Sequence, residues 1–465
     1  MKDFLAGLSD FWNEFRRDKA GLVGLAILTV ALLTIIFEPL IVPYGEVNSR
    51  WRDINYWEDN SSGAPPAWTN LFSSAKKAVT TTLSKPKVEE IEGDGVSIFR
   101  YEFGYDYRYD EPPLDLVFRA EGWGTFPLLV SVERPDGQTI DLYQYVAEGL
   151  DGDDLRVTLA NDSKSAAYQF LAANASEADM INFDSYSIKP MQIMFAEATP
   201  TMATASTPLE GEYKFVVQTM IMSEDVRIEK PHFTVVGAVS GALGSDTGKR
   251  DLFSGLVAGL KWALLIGFVT SFISVLLGVL YGIVSAYFGG AIDTTMNFVY
   301  ELFVSMPVLP ILIVISAVFK PSIWFIIAAL VIFSWTGPVK TVRSMAMQIK
   351  EETYIEAARA LGAGKWRIIF RHMLPLLIPY SFASMALAVP GAILYEASVS
   401  LLGLGDATIT TWGQILHDAL SSGAVLNGLW WWVVPPGLSI AIMGMSFAFI
   451  GSAMDKILHP KLRTR

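Results

Sequence analysis

The sequence predicts a polytopic α-helical membrane protein of six transmembrane helices, carrying an inserted, mainly-β domain outside the membrane. Three observations predict it. Hydrophobic residues make up 52% of the 465-residue chain and mean hydropathy is positive, beyond the roughly 45–50% usual for soluble proteins. Six apolar stretches reach or approach the roughly 20 residues that cross a hydrocarbon core of about 30 Å. Between the first and second of them lies a long polar block with strand-like periodicity.

The apolar stretches lie near residues 20–43, 257–288, 294–319, 322–339, 376–404 and 429–454. Pro307, Pro310, Pro338, Pro379, Pro390, Pro435 and Pro436 fall within or at the ends of them. Helix breakers at membrane depth survive only where neighbours or a cavity satisfy the freed backbone groups. They predict a packed bundle lining a pathway, with breaks in several spans. The apolar stretch after Met1–Lys19 lacks a small-residue cleavage site, so it reads as an uncleaved anchor.

Orientation follows from basic residues beside the spans, which are retained in the cytoplasm. Lys2, Arg16, Arg17 and Lys19 precede the first span. Lys340, Arg343, Lys350, Arg359, Lys365, Arg367 and Arg371 occupy 340–371, and Lys456, Lys461, Arg463 and Arg465 the tail. The connection 405–428 has none. Both termini and the 340–375 loop are therefore expected inside and the long block outside, with Trp430, Trp431 and Trp432 starting the last span at the outer interface.

The net charge of −12 belongs to that block: 18 basic and 33 acidic residues lie between positions 44 and 256, a balance of −15, leaving +3 elsewhere. Phe99, Tyr101, Phe103, Tyr105, Tyr107 and Tyr109 fall on every second residue, which puts them on one face of a strand. Leu114, Leu116 and Phe118 repeat the pattern, as do Leu155, Val157 and Leu159, then Tyr213, Phe215 and Val217. Pro135-Asp136-Gly137 between two such runs predicts a hairpin turn. A β-sandwich-like domain is expected, with a helix over 164–176 and loops at 60–85 and 198–210. Sequons begin at Asn60, Asn161 and Asn174; they are glycosylation acceptors on an exported surface or chance occurrences.

The stretch that carries most information runs from Glu351 to Pro375. Residues 353–361 are strong helix formers, Gly362 and Gly364 supply a turn, and a second helical run ends at Leu374-Pro375. Tyr354, Ala357, Ala358 and Leu361 lie at helical spacing, a narrow face with small residues where another protein can approach closely.

Glu356-Ala357-Ala358, then Gly362, then Leu374-Pro375, resembles the EAA signature of bacterial and archaeal ABC-importer permeases. The resemblance implies that Tyr354, Glu356, Ala357, Ala358, Leu361, Gly362, Leu374 and Pro375 form a loop that docks a separate ATPase. Arg371-His372-Met373-Leu374-Pro375 is similar to the variant of the oligopeptide, dipeptide and nickel permease family. Glu396 to Gly405 and Thr411-Trp412-Gly413 resemble that family's fifth-span ending, and residues 12–44 its N-terminus. Gly244-Ser245-Asp246 with Arg250-Asp251 is similar to its Gly-Thr-Asp-x-x-Gly-Arg-Asp motif, except that Lys249 replaces the glycine before the arginine. The likeness covers 12–44 and 244–460; about 50–240 lies outside it as an insertion.

The expected organisation is thus a cytoplasmic amphipathic segment 1–19, span 20–43, an extracytoplasmic β-rich insertion 44–250, a permease core 251–455 with coupling loop 340–375, and a cytoplasmic tail 456–465. The resemblance implies the type I importer fold, a multi-pass place in the plasma (inner) membrane and no catalysis in this chain. It also implies a heterodimer with a second, homologous permease, two ATP-binding subunits that hold ATP and Mg, an extracytoplasmic substrate-binding protein, and peptides as cargo. Nickel chelates or oligosaccharides are the alternative cargo. No nucleic acid is an expected partner, and membrane lipids surround the spans.

The remaining candidates are weaker. Gly244 to Lys249 has three residues between its glycines and Arg250 where Ser or Thr should hold magnesium, so it does not read as a phosphate loop. His232, His372, His417 and His459 lack metal-ligand spacing, and the absence of cysteine excludes thiolate chemistry. Among charges in or near spans, Glu38, Lys261, Asp293 and Asp406 sit near ends, where snorkelling is expected. Glu301 and Glu396 lie deeper, and either touch the translocation path or bond a neighbouring helix. A competing function, a membrane-anchored extracellular binding or sensing protein, needs one span and gives the proline-broken bundle no purpose.

Overall fold

The computed structural model describes residues 11–93, 96–151, 155–181, 183, 188–221, 227–319 and 322–458. Lys2 and the basic tail at Lys461, Arg463 and Arg465, with His459, lie outside the described residues. The chain divides into two compact units, Met1–Arg52 with Phe253–Arg465, and Asp53–Leu252.

The first unit is helical. Helix α1, Lys19–Ile36, starts where the Asp18 carboxylate accepts the Gly21 N–H at 2.9 Å. It ends before the expected 43, because Pro39 cannot continue a helix; a separate turn, Glu38–Ile41, follows. After the insertion come α2 (Leu252–Phe288), α3 (Gly290–Ser305), α4 (Val308–Val318), α5 (Ile323–Ser334) and α6 (Val339–Lys350). Next are the short α7 (Thr353–Ala360), then α8 (Leu374–Leu401), α9 (Trp412–Ser421) and α10 (Trp430–Leu458).

Among the described residues, four helices are long and apolar enough to cross a membrane, and up to six spans result if each bent pair counts as one. Those pairs are α3 with α4, bent by 76°, and α5 with α6, bent by 50°. Their elbows sit at Pro307 and Pro338. Pro379, Pro390, Pro435 and Pro436 instead lie inside unbroken helices, so the expected breaks in the fifth and sixth stretches are corrected. Packing by neighbours carries a proline through a buried helix.

Small residues let these helices approach. A Cβ on Gly24 of α1 would stand 2.5 Å from the Ser446 carbonyl of α10, and Ser446 Oγ donates to the Gly24 carbonyl at 2.7 Å. A Cβ on Gly278 of α2 would meet the Trp335 carbonyl at 2.2 Å, so the α5–α6 elbow rests directly on α2. Trp430 begins α10 and is exposed, whereas Trp431 and Trp432 are buried within the protein, Trp432 fully enclosed.

The second unit is built on antiparallel strands β1 (Thr81–Leu83), β2 (Lys87–Gly93), β3 (Val96–Tyr107), β4 (Asp115–Glu133), β5 (Thr139–Asp151), β6 (Leu155–Arg156), β7 (Gly211–Ile221) and β8 (Arg227–Val236). They form one connected sheet in the order β1-β8-β4-β7-β3-β2, with β5 and β6 on the other edge of β4. The nineteen-residue β4 pairs with β8 in its first half and β7 in its second. Its register with β5 shifts between Gly122 and Thr125, and Gly124 takes φ +83°, a glycine conformation that bends a strand. The strand-rich domain expected to be sandwich-like is built from one connected sheet that folds through β4. Phe233 of β8 meets Phe103 of β3 at 5.2 Å and Phe215 of β7 at 5.5 Å between ring centroids across that fold.

The aromatic alternation holds: Tyr101, Phe103, Tyr105 and Tyr107 are buried on β3, as are Tyr213, Phe215 and Val217 on β7. The run Leu155–Leu159 does not. Its strand stops at Arg156 and Leu159 is exposed, because helix Asn161–Asn174 begins immediately after. Gly137, at φ +81°, closes the predicted hairpin. Asn60 is buried at 5% exposure, which removes that sequon as an acceptor in the folded unit, whereas Asn161 is exposed.

Candidate functional site

The 351–375 loop is a short lever fixed at one point. Ile355 is fully buried among Val279, Ile283, Val342, Ala346, Ile368 and Met373. It pins α7 to α2, α6 and the start of the following helix. The opposite side of α7 is open: Tyr354, Glu356, Ala357 and Leu361 are exposed, Leu361 at 89%, and Ala358 is half-buried. Gly362 adopts φ +83° and donates to the Arg359 carbonyl at 3.0 Å, a left-handed helix stop that favours glycine.

The second helical run does not end at Leu374-Pro375. From Lys365 a single helix of 37 residues continues to Leu401, passing through a π turn at Ile369–Met373. That wider turn, just ahead of Pro375, accommodates a residue with no amide hydrogen to donate. Leu374 is half-buried there and Pro375 exposed. Trp366, 56% exposed, stacks on Phe370 at 6.0 Å and meets Phe288 edge-on. The exposed aromatic beside α7 widens the open surface. Sequence reasoning missed Ile355 and Trp366; the only signal for Ile355 was one β-branched apolar residue between Tyr354 and Glu356 on a polar turn.

Glu396 lies on α8, 4% exposed, and accepts hydrogen bonds from Ser400 Oγ at 2.7 Å and Thr411 Oγ1 at 2.9 Å. Thr411 Oγ1 in turn accepts the Gln414 N–H and caps α9. A Cβ on Gly405 would stand 2.1 Å from Ser400 Oγ, and one on Gly413 2.6 Å from Ser400 Cβ. Trp412 Nε1 donates to the Leu256 carbonyl at 2.9 Å. The residues from Glu396 to Gly413 thus form a corner that locks α8, α9 and α2 together.

The other charges find partners. Lys261 pairs with Glu38 at 3.2 Å. Asp406 accepts the Ile323 N–H at 3.0 Å and so caps α5; it is buried rather than snorkelling. Asp293 is gripped by Arg343 through Nε at 2.7 Å and Nη2 at 2.5 Å. Glu301 pairs with Lys340 at 2.8 Å, and both side chains stay largely exposed, at 61% and 49%.

The 244–251 motif belongs to the second unit. Asp246 is fully buried, pairs with Arg250 Nε at 2.5 Å and accepts the Arg250 N–H at 2.9 Å. Lys249, where the resembling motif carries glycine, has φ +65°, and Lys249 Nζ donates to the Glu58 carbonyl at 2.8 Å. The positive φ explains the glycine. Both Lys249→Gly and Lys249→Ala lose the Nζ bond, but alanine adds left-handed strain of about 1 kcal/mol. Thermal unfolding should rank the glycine variant above the alanine variant, and the reverse order would refute this account.

Several helices long and apolar enough for a membrane, with an exposed helical loop between two of them, describe a polytopic membrane protein. The chain belongs to the family of binding-protein-dependent transport system inner membrane components, whose family model matches residues 274–464; the N-terminal membrane domain of oligopeptide transport permease C matches 8–64. Among known proteins it is similar to the dipeptide transport system permease protein of Bacillus subtilis, 34% identical over 221 residues, covering 47% of this chain and 68% of that protein. The oligopeptide transport system permease protein of Haemophilus influenzae is 32% identical, over 47% of this chain and 70% of its own length. Its counterpart in Bacillus subtilis is 28% identical over 305 residues, covering 63% of this chain and 96% of the relative. The chain is an ABC-importer permease subunit of the oligopeptide and dipeptide branch, a multi-pass inner-membrane protein. Most of the folded β unit lies outside both family matches.

Proposed function

We propose that this permease lines the translocation path of an ATP-driven importer of short peptides and receives the motion of a separate ATPase through α7. The supporting observation is Ile355. One buried side chain fastens α7 to three helices while Tyr354, Glu356, Ala357 and Leu361 remain open to a partner, so a push on α7 is delivered to the bundle. The chain pairs with a second permease of its kind, two ATPase subunits hold ATP and Mg, and an extracytoplasmic protein delivers cargo. ATP binding closes the ATPases, α7 moves with them, and the spans turn from inward-facing to outward-facing; hydrolysis resets them. Glu301 stands along the path, and Glu396 holds the corner beside it.

Peptide cargo is supported by the dipeptide and oligopeptide systems to which the relatives belong. The test is reconstitution: the chain, its partner permease, the ATPases and the binding protein in proteoliposomes should accumulate labelled Ala-Ala only with ATP. A fully assembled complex that hydrolyses ATP but takes up no di- or tripeptide would overturn the cargo assignment.

A further inference from the structure

Two ion pairs join α3 to α6, and they differ in kind. Asp293 and Arg343 are 15% and 24% exposed, and Asp293 also receives Ser285 Oγ and Asn297 Nδ2. Its acceptors are filled, as a structural pair requires. Glu301 and Lys340 are joined by one described hydrogen bond and open on their outer side. Lys340 Nζ also lies 4.7 Å from the centre of the Tyr300 ring, a contact by which an aromatic face attracts a cation.

Glu301 stands eleven residues after Gly290 on α3, within the apolar stretch that runs from about 294 to 319. The pair also sits where both broken helices turn. Glu301 lies six residues before Pro307 at the α3–α4 elbow, and Lys340 follows Pro338 at the α5–α6 elbow. Phe303 and Trp335 join the two elbows with rings 5.4 Å apart. Charged side chains in apolar stretches face a path or a partner rather than lipid, and helices broken inside such stretches occur where neighbours or a cavity satisfy the freed backbone groups.

We propose that Glu301 and Lys340 form a binding station for a zwitterionic ligand on the translocation path, Lys340 taking its carboxylate and Glu301 its ammonium group. The pair is preformed and self-neutralised when empty, and a ligand with one charge of each sign exchanges partners without leaving either residue bare. A ligand lacking one terminal charge strands one of them, which is the costly case. The inference rests on the peptide-import reading.

The chain has no cysteine, so Phe298→Cys, one turn before Glu301 on α3 and 69% exposed in the wild type, provides a single reporter in this subunit. In the reconstituted complex, a charged thiol reagent should label it, and millimolar Ala-Ala should slow labelling. N-acetyl-Ala-Ala and Ala-Ala-amide should protect about tenfold less well. Lys340→Met should abolish discrimination against the amide alone, and Glu301→Gln discrimination against the acetyl form alone. A merely structural pair would shift all three ligands together. An unlabelled cysteine, equal protection by all three peptides, or discrimination that survives both substitutions would overturn the proposal. A complex that transports no peptide at all would instead overturn the cargo assignment beneath it.

Discussion

Leu361→Asp is expected to strip the ATPase subunits from the complex and to cut ATP-driven uptake by a factor of about ten or more, while the chain's thermal unfolding stays where it was. Leu361 is 89% exposed at the end of α7, so it supports nothing inside this chain, and surface changes of that kind cost within about 0.5 kcal/mol of stability. A large apolar side chain at a docking surface is another matter: truncating or charging a central anchor removes about 2 kcal/mol or more of binding. Ile355→Ala makes the contrast. Its side chain is fully buried, so the loss is about 2–5 kcal/mol, taken from the attachment of α7 to the bundle. That variant should still bind ATPase more readily than Leu361→Asp does, yet transmit its strokes poorly, with ATP hydrolysis uncoupled from uptake. Co-purification, ATPase rate and uptake measured on both variants decide it. If Leu361→Asp retains its ATPase and its uptake, α7 is not the docking element.

Arg134→Ala is expected to unfold the β unit or lower its stability by about 3–5 kcal/mol, the range for breaking a buried ion pair from one side. The Arg134 side chain is wholly enclosed. It donates to the carbonyls of Ile193, Met194 and Ala196 and to the Asp136 carboxylate, with its guanidinium 4.6 Å from the Phe170 ring centre. One residue thus ties the β4–β5 turn to the segment before β7. Arg134→Lys should fail nearly as badly, since an ammonium lacks the planar fork. The pH dependence follows from the same contact. Burial pushes the Asp136 carboxyl up, but Arg134 and the Gln138 N–H outweigh it and hold it below its ordinary value. A depressed carboxyl contributes stability above its ordinary range and loses it as pH falls through its folded value. Wild type should lose that increment in acid; Arg134→Ala should already lack it. Hydrogen exchange of the β4–β5 hairpin against pH reads both, and an unchanged hairpin in the variant would remove Arg134 from this role.

Much of this was legible in the residues because it depends on local chemistry. Alternating aromatics place Phe103 and Tyr105 on one strand face whatever the strand pairs with. Pro135-Asp136-Gly137 turns because of its own dihedral preferences, and Gly362 stops a helix for the same reason. Apolar length marks membrane helices by a comparable rule, since hydrocarbon sets one thickness for all. What misled was also local: Leu155, Val157 and Leu159 alternate, yet a helix beginning at Asn161 ends the strand. Proline likewise did not identify the broken spans, because Pro307 and Pro338 stand at elbows while Pro379, Pro390, Pro435 and Pro436 lie inside unbroken helices. Neighbouring helices decide which proline bends a helix, and a single sequence does not display its neighbours.

Residue pattern alone is enough to place this chain in the membrane, to mark a strand-rich insertion, and to read Glu351 to Pro375 as a helix and turn with small residues on one face. Spacing, composition and backbone preference act over a few residues and are written into them. Folding in three dimensions is what makes Ile355 the anchor of that lever, folds one sheet onto itself through β4, and brings Asp406 to cap a helix eighty-three residues away. It alone separated the enclosed Asp293–Arg343 pair from the open Glu301–Lys340 pair. The worth of a charge depends on what surrounds it in space, and distant segments supply that surrounding.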